Sequence, residues 1–309
     1  MRYKLSDICS FRKGKVEVNS LNRGNYVSTE NMLINKGGKT EASSLPNIAL
    51  TQEFKKGDVL VSNIRPYFKK IWRAKCDGGC SNDVLVFQAN VNINKGFLYY
   101  VLANDEFFNY SMMTSKGTKM PRGDKFAIMQ YEVPNFDLNT QQKITRLLES
   151  IDEKIELNNA INDNLYAQAQ ALYKSWFVDF DPYDGVMPSD WIIGTVDDLA
   201  KEIVCGKTPS TKVAEYYGSD IPFITIPDMH GKIYVMITER YLSTDGANSQ
   251  PKKTLPKNSI CVSCIGTAGL VSLVASESQT NQQINSIIPK DDYSPYYIYL
   301  LMQTLSEVI

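Results

Sequence analysis

Short apolar runs alternate with Gly, Asn and Asp clusters along much of the chain. DVLVS (58–62), KIWRA (70–74) and DVLVFQA (83–89) read as short strands bounded by turn formers. GFLYYVLANDEFFNYSMM (96–113) has helical apolar spacing. From about Asn139 to Phe177 no Pro or Gly interrupts the chain, and Asn139 with Gln142 resembles a capping box after Pro134, so one long helix is expected there. Ile144, Leu148, Ile151 and Ile155 recur at steps of four and three, and Leu165, Ala169, Leu172 and Trp176 continue the same heptad register. That pattern is a coiled-coil seam. Asn158 and Asn162 occupy its middle, where amides are poor core residues but fix register and orientation. Roughly 38 residues at about 1.5 Å each reach about 57 Å, longer than one DNA turn of about 34–36 Å. The helix could hold two reading units apart or serve as a plain interdomain spacer.

The pattern also repeats. FKKGDVLVSNIRPYFKKIWRAK (54–75) aligns with LPKNSICVSCIGTAGLVSLVAS (255–276), pairing Lys56 with Lys257, Val61 with Val262, Ser62 with Ser263 and Ile64 with Ile265. LSDI (5–8) faces VDDL (196–199), YVSTENM (26–32) faces FITIPDM (223–229), and FLYYVL (97–102) faces YYIYLL (296–301). Their common order at a near-constant offset argues for a tandem duplication, with a period too long for a solenoid. Two mixed α/β units are expected. The second has no counterpart of SKGTKMPRGDKFAIMQYEVPNFDLNTQQ and the helix beyond it, so it is expected to be incomplete at its C-terminus.

Length and composition fit two cores, since the chain has 309 residues of which 43% are apolar. The net charge of −1 hides an asymmetry. Residues 1–138 hold 20 Lys and Arg against 13 Asp and Glu, a net +7, whereas residues 139–179 carry −2 and residues 180–309 carry −6. A basic first segment suits a polyanion partner or a solvated basic face. No run of about 18 apolar residues and no signal-like N-terminus occurs, so a cytoplasmic protein is expected. Six cysteines are too few for a disulfide scaffold and are expected as thiols. Cys261 and Cys264 have zinc-like spacing but lie in a strand pattern, and Cys76 and Cys80 flank a DGG loop without a matching pair.

Familiar catalytic patterns do not appear. GGKT (37–40) and CGKT (205–208) look like the end of a phosphate loop, but Leu33 and Lys201 stand where its first glycine belongs. His230, in PDMHGK, reads as a surface turn residue, and no dinucleotide fingerprint, HExxH or adenine-methylating tetrapeptide is present.

The duplicated unit, the segment FDLNTQQKITRLLESIDEKIELNNAINDNLYAQAQALYKSWFVDF, and GKTPS, YYGSDIPFITIPDM and NQQINSI together resemble the specificity subunits of type I restriction-modification enzymes. The likeness covers essentially the whole chain. It implies an α/β (α+β) fold of two tandem target-recognition domains separated by a long coiled-coil-type helix. The domains would be 1–138, the helix 139–179 and the second domain 180–309. It also implies a subunit that does no catalysis itself, reads a bipartite asymmetric target in double-stranded DNA, and docks two modification (methyltransferase) subunits and the restriction subunits. No cofactor is then expected on this chain, with S-adenosylmethionine, Mg and ATP on the partners and no membrane association. Because only one such helix is found, its seam leaves a homodimer open.

Reading DNA needs Lys and Arg for phosphates and polar groups for base edges. In the first unit the candidates are Arg65, Lys69 and Lys70 in NIRPYFKK, with Lys116, Thr118, Lys119 and Arg122 in SKGTKMPRGD, which resembles the family's Gly-Thr loop. Arg65 or Arg122 would read guanine and the lysines would hold phosphate. In the second unit the matching turn GTAG (266–269) is uncharged, so the candidates are Lys207, Thr208, Ser210, Thr211 and Lys212. Gln279, Asn281, Gln282 and Gln283 offer amides or form a turn into a buried strand, while Tyr216, Tyr217 and Phe223 suit stacking or core packing. The alternative reading is an assembly scaffold with an inactive second half.

Overall fold

Two compact units, Met1–Ala160 and Ile161–Ile309, make up the chain, and the computed structural model describes residues 2–305. The last residues of the expected second domain, Ser306 to Ile309, lie outside the described part.

In the first unit Cys9–Phe11, Val84–Ala89, Val59–Ser62 and Ile71–Arg73 form an antiparallel sheet in that order. A second sheet runs Lys15–Glu17, Leu50–Phe54, Gly78–Cys80 and Tyr26–Val27, its last pair parallel. Val59 and Val61 face one core with Leu5, Phe87, Leu98 and Phe107, while Leu60 faces another with Phe54, Met32 and Val86. Successive strand side chains point to opposite faces, so an unbroken apolar run marks a strand covered on both sides. Each such buried Val or Leu stabilises the unit by about 1.5–3 kcal/mol.

The second unit repeats this plan. Ile260 pairs with Leu273 and Ile287 as Val59 pairs with Arg73 and Phe87. Phe223 and Ile224 run parallel to Gln279 and Thr280 as Tyr26 and Val27 run parallel to Gly79 and Cys80. The aligned LSDI and VDDL are the short helices Leu5–Ile8 and Val196–Leu199, each with an Asp side chain accepting the backbone N–H three residues back. Shared register at these pairs carries the duplication from sequence to structure.

The structure refines both helical segments. GFLYYVLANDEFFNYSMM forms two helices, Lys95–Ala103 and Asp105–Met113. Asn104 takes an extended ψ of 140° between them and its side chain accepts the Glu106 N–H, so a cap interrupts what the apolar spacing alone would continue. The long helix runs Leu138–Phe177, and its cap is Asp137, whose carboxylate accepts the Thr140 N–H at 2.6 Å, rather than Asn139 with Gln142.

The most buried contacts of the long helix with each unit come from residues outside the predicted seam. In the first unit Gln141 and Thr145 are buried, Gln141 accepting the Asn94 N–H and Thr145 donating to the Asn94 side chain. Glu149 pairs with Arg73, Asp152 accepts the Tyr100 hydroxyl and Glu156 meets Lys75, so a polar stripe does the docking. In the second unit the stripe is aromatic, with Tyr173 and Phe177 against Tyr297. Of the seam, Ile144, Leu148 and Ala169 are half-buried, whereas Ile151, Ile155, Asn158, Asn162, Leu165, Leu172 and Trp176 are exposed.

Candidate nucleic-acid interface

In the first unit the structure joins both basic loops into one surface. Strands Val59–Ser62 and Ile71–Arg73 are connected by a turn whose 3-10 segment, Pro66–Phe68, lies between Arg65 and Lys69. Both flanking residues adopt left-handed backbone, with φ of 51° each. The second loop closes on itself through reciprocal Lys116 and Arg122 backbone bonds of 2.9 Å. It then attaches to the first: Arg65 N–H donates to the Pro121 carbonyl at 2.8 Å and Gly123 N–H to the Asn63 carbonyl at 3.2 Å. The approach at Gly123 is close: a Cβ there would stand 2.8 Å from Ile128 Cδ1 and 2.9 Å from Asn63 Oδ1, so these side-chain ends would have to shift to admit one.

The cations on this surface are held in place. Arg122 pairs with Asp83 at 3.1 Å, and Lys116 with Asp124 at 2.6 Å. Lys116, then the N–H groups of Ala127 and Phe126, hold the Asp124 carboxyl below the usual carboxylate range. Lys70 donates its ammonium to the Thr29 carbonyl at 2.6 Å. Arg65 lies with its guanidinium carbon 6.0 Å from the Phe68 ring centre, and Lys70 approaches the same ring at 5.8 Å. Thr118 and Lys119 are exposed on the loop. Two buried polar atoms, Arg65 Nε and Asn63 Oδ1, have no hydrogen-bond partner, so this corner has donor and acceptor capacity left over.

A third loop, absent from the sequence candidates, joins this surface. Asn35 N–H donates to Phe68 O and Lys36 N–H to Lys69 O, each at 2.8 Å. Lys36 and Lys69 then both reach Asp105, at 2.7 and 3.1 Å. Its signal in the sequence is the pair of lysines, Lys36 and Lys39, around Gly37 and Gly38.

In the second unit GKTPSTK lies on the TNQQ turn. Gly206 N–H donates to Ile284 O, Lys207 N–H to Thr280 O at 2.9 Å, and the Thr208 hydroxyl to Gln282 Oε1 at 2.8 Å. Tyr217 supports Pro209 from below through its hydroxyl, and Gln250 holds the Lys207 carbonyl. Lys207, Ser210, Thr211 and Lys212 are exposed. Gln279 is buried and committed internally, donating to Ala247 O and Thr254 Oγ1 and accepting from Gln250, so it supports the loop rather than offering an amide outward. Asn281 and Gln283 bond each other at the turn. Phe223 is core, while Tyr216 and Tyr217 are half-buried.

Other candidate chemistry is dispersed. Cys261 is buried in its strand and Cys264 exposed beyond it, as Cys80 is buried and Cys76 exposed. Burial pushes the Cys9, Cys80 and Cys261 thiols up to about 12. Among the described residues no group of three or more His, Cys, Asp or Glu could hold a metal, and no helix is long and apolar enough to cross a membrane. His230 is exposed beside the short helix Ile226–Met229.

Fold and site define a tandem recognition protein: two related α/β units with polar and basic loops, joined by one long helix. Residues 1–167 and 188–308 match the profile of the type I restriction modification DNA specificity domain. The type I restriction enzyme HindI specificity subunit of Haemophilus influenzae is 34% identical over 97% of this chain and 82% of its own length. The MjaIX specificity subunit of Methanocaldococcus jannaschii is 34% identical over 42% of this chain and 30% of its own length. The crystal structure of a type I restriction-modification S subunit from M. genitalium shares the fold, with a TM-score of 0.62 at 14% identity over 100% of this chain and 78% of that one. The chain belongs to the specificity subunits of type I restriction-modification systems.

Proposed function

We propose that the first unit reads one half of a bipartite, asymmetric DNA target and the second unit the other, with residues 139–179 as spacer and partner dock between recognition domains 1–138 and 180–309. The observation that carries this reading is Arg65. It holds a left-handed backbone at the position where the second repeat has Gly266, also at positive φ. A left-handed residue with a side chain costs about 1–2 kcal/mol, which glycine avoids. Strain kept at the tip of a basic loop, with Arg122 beside it, suits a side chain retained for contact. A planar guanidinium supported on Phe68 matches the paired acceptors of guanine.

Arg65 and Arg122 then read bases, while Lys69, Lys70, Lys116 and Lys119, with the Thr118 hydroxyl, hold phosphate. In the second unit Lys207, Thr208, Ser210, Thr211 and Lys212 serve the other half-site. Catalysis belongs to partners: two modification subunits supply S-adenosylmethionine and methyl transfer, and restriction subunits use ATP and Mg, leaving this chain without a cofactor. The complex works in the cytoplasm. The open helix stripe is where partners dock, and pairing of two copies there is the competing arrangement.

Co-expression with the modification partner, followed by mapping of methylated adenines across the host DNA, tests this. An asymmetric split motif is expected, and Arg65→Ala with Arg122→Ala abolishes its methylation. A palindromic motif would instead mean a dimer reading through the first unit, and no motif at all would leave only assembly.

A further inference from the structure

The first unit brings two ammonium groups to one carboxylate oxygen. Lys36 and Lys69 come from segments more than thirty residues apart, both in left-handed backbone, and the Lys36 N–H to Lys69 O bond sets them side by side. Their Nζ atoms lie 2.7 and 3.1 Å from Asp105 Oδ1. The two lysines, Lys36 first, hold the Asp105 carboxyl below the usual carboxylate range. The cluster is open to water, with the Asp105 side chain 56% exposed. Exposed ion pairs add little stability, so holding the fold together does not account for it. Two ammonium groups sharing one carboxylate leave one positive charge in excess. Lys70 and Lys39 are each tied to a carbonyl, Lys39 donating to Gly24 O beside Trp72, and the cavity that Lys36 and Lys39 line also carries Glu149, Asp152, Glu153 and Glu156. Glu106, next along the helix, is the nearest acid in sequence.

We propose that Lys36 and Lys69 form a phosphate clamp for the DNA backbone, with Asp105 as its internal stand-in. The carboxylate oxygen occupies the place a phosphodiester oxygen takes when duplex binds. Asp105 thereby orients both lysines beforehand and removes one charge from their pull on DNA, which lowers attraction to every duplex alike. Lys36 is thus a DNA contact outside the loops of Arg65 and Arg122, and Asp105 a positioning residue that limits non-specific binding. The inference rests on the first unit binding DNA.

The test uses the complex of this chain with its modification partner. Binding to a target duplex and to an unrelated duplex is measured by fluorescence anisotropy between 50 and 200 mM salt. Each phosphate contact contributes about 0.9 to the slope of log affinity against log salt. Lys36→Gln is expected to lower that slope by about 0.9 on both duplexes, so its deficit relative to the unmodified complex narrows about threefold to fourfold across the range. Lys36→Arg keeps the slope. Asp105→Asn strengthens binding to both duplexes, most at low salt. An unchanged slope in Lys36→Gln overturns the clamp, as does a loss confined to the target duplex, which would make Lys36 a base reader. If Arg65→Ala with Arg122→Ala also binds both duplexes normally, the DNA-binding reading of the unit fails with it. If that pair loses the target while Lys36→Gln is unaffected, only the clamp fails.

Discussion

Arg65 separates the needs of the fold from those of recognition. Its backbone conformation is one that glycine adopts freely, and the N–H that fixes the turn, donating to Pro121 O, would be present in any residue but proline. Arg65→Gly is therefore expected to melt at the same temperature as the natural chain or slightly above it. The same variant removes the guanidinium, and selectivity for the target over a duplex with one altered guanine should fall by about 1–3 kcal/mol. Paired calorimetry and competition binding check both halves. A lowered melting temperature with selectivity intact would assign Arg65 to the turn. Asn63 and Arg65 were both visible in NIRPYFKK, but the partnerless Asn63 Oδ1 lies where Gly123 approaches from a segment about sixty residues away. No periodicity reports such a contact.

Elements with a local cause were legible. The strand DVLVS shows itself because both its faces are covered, and the repeat because equivalent strands keep the same register. The break at Asn104 was less visible, since apolar spacing runs through it and only a capping amide marks the stop. The seating of GKTPSTK depended on a glycine whose reason lies elsewhere. A Cβ on Gly206 would stand 2.0 Å from the Asn281 carbonyl oxygen, a backbone atom that cannot rotate away. Gly206→Ala should push the loop off the turn, breaking the Lys207 to Thr280 bond and destabilising the unit by about 1–3 kcal/mol. Amide exchange at residues 207–212 should accelerate, with the first unit's strands unaffected. Unchanged exchange there would show that the turn gives way at no cost.

For the whole molecule the informative contrast lies between two adjacent residues of the long helix. The heptad was legible, but its facing was not, because each unit binds the helix by a different stripe, polar in the first and aromatic in the second. Tyr173 is 6% exposed and packs on Tyr297, whereas Leu172 is 61% exposed. Tyr173→Glu should therefore lower the melting temperature of the isolated chain. Leu172→Glu with Leu165→Glu should leave it alone, since Glu suits an exposed helix position and no buried contact is lost. An apolar stripe over several turns is costly to leave in water when a partner can cover it. The paired Glu variant should therefore fail to assemble with the modification subunit, as read by light scattering of the mixture, while the natural chain assembles. If scattering instead shows the natural chain alone as a dimer that the Glu pair dissolves, a second copy covers the stripe. If the Glu pair melts as low as Tyr173→Glu and still assembles, the stripe packs within the chain, and the partner docks on another face.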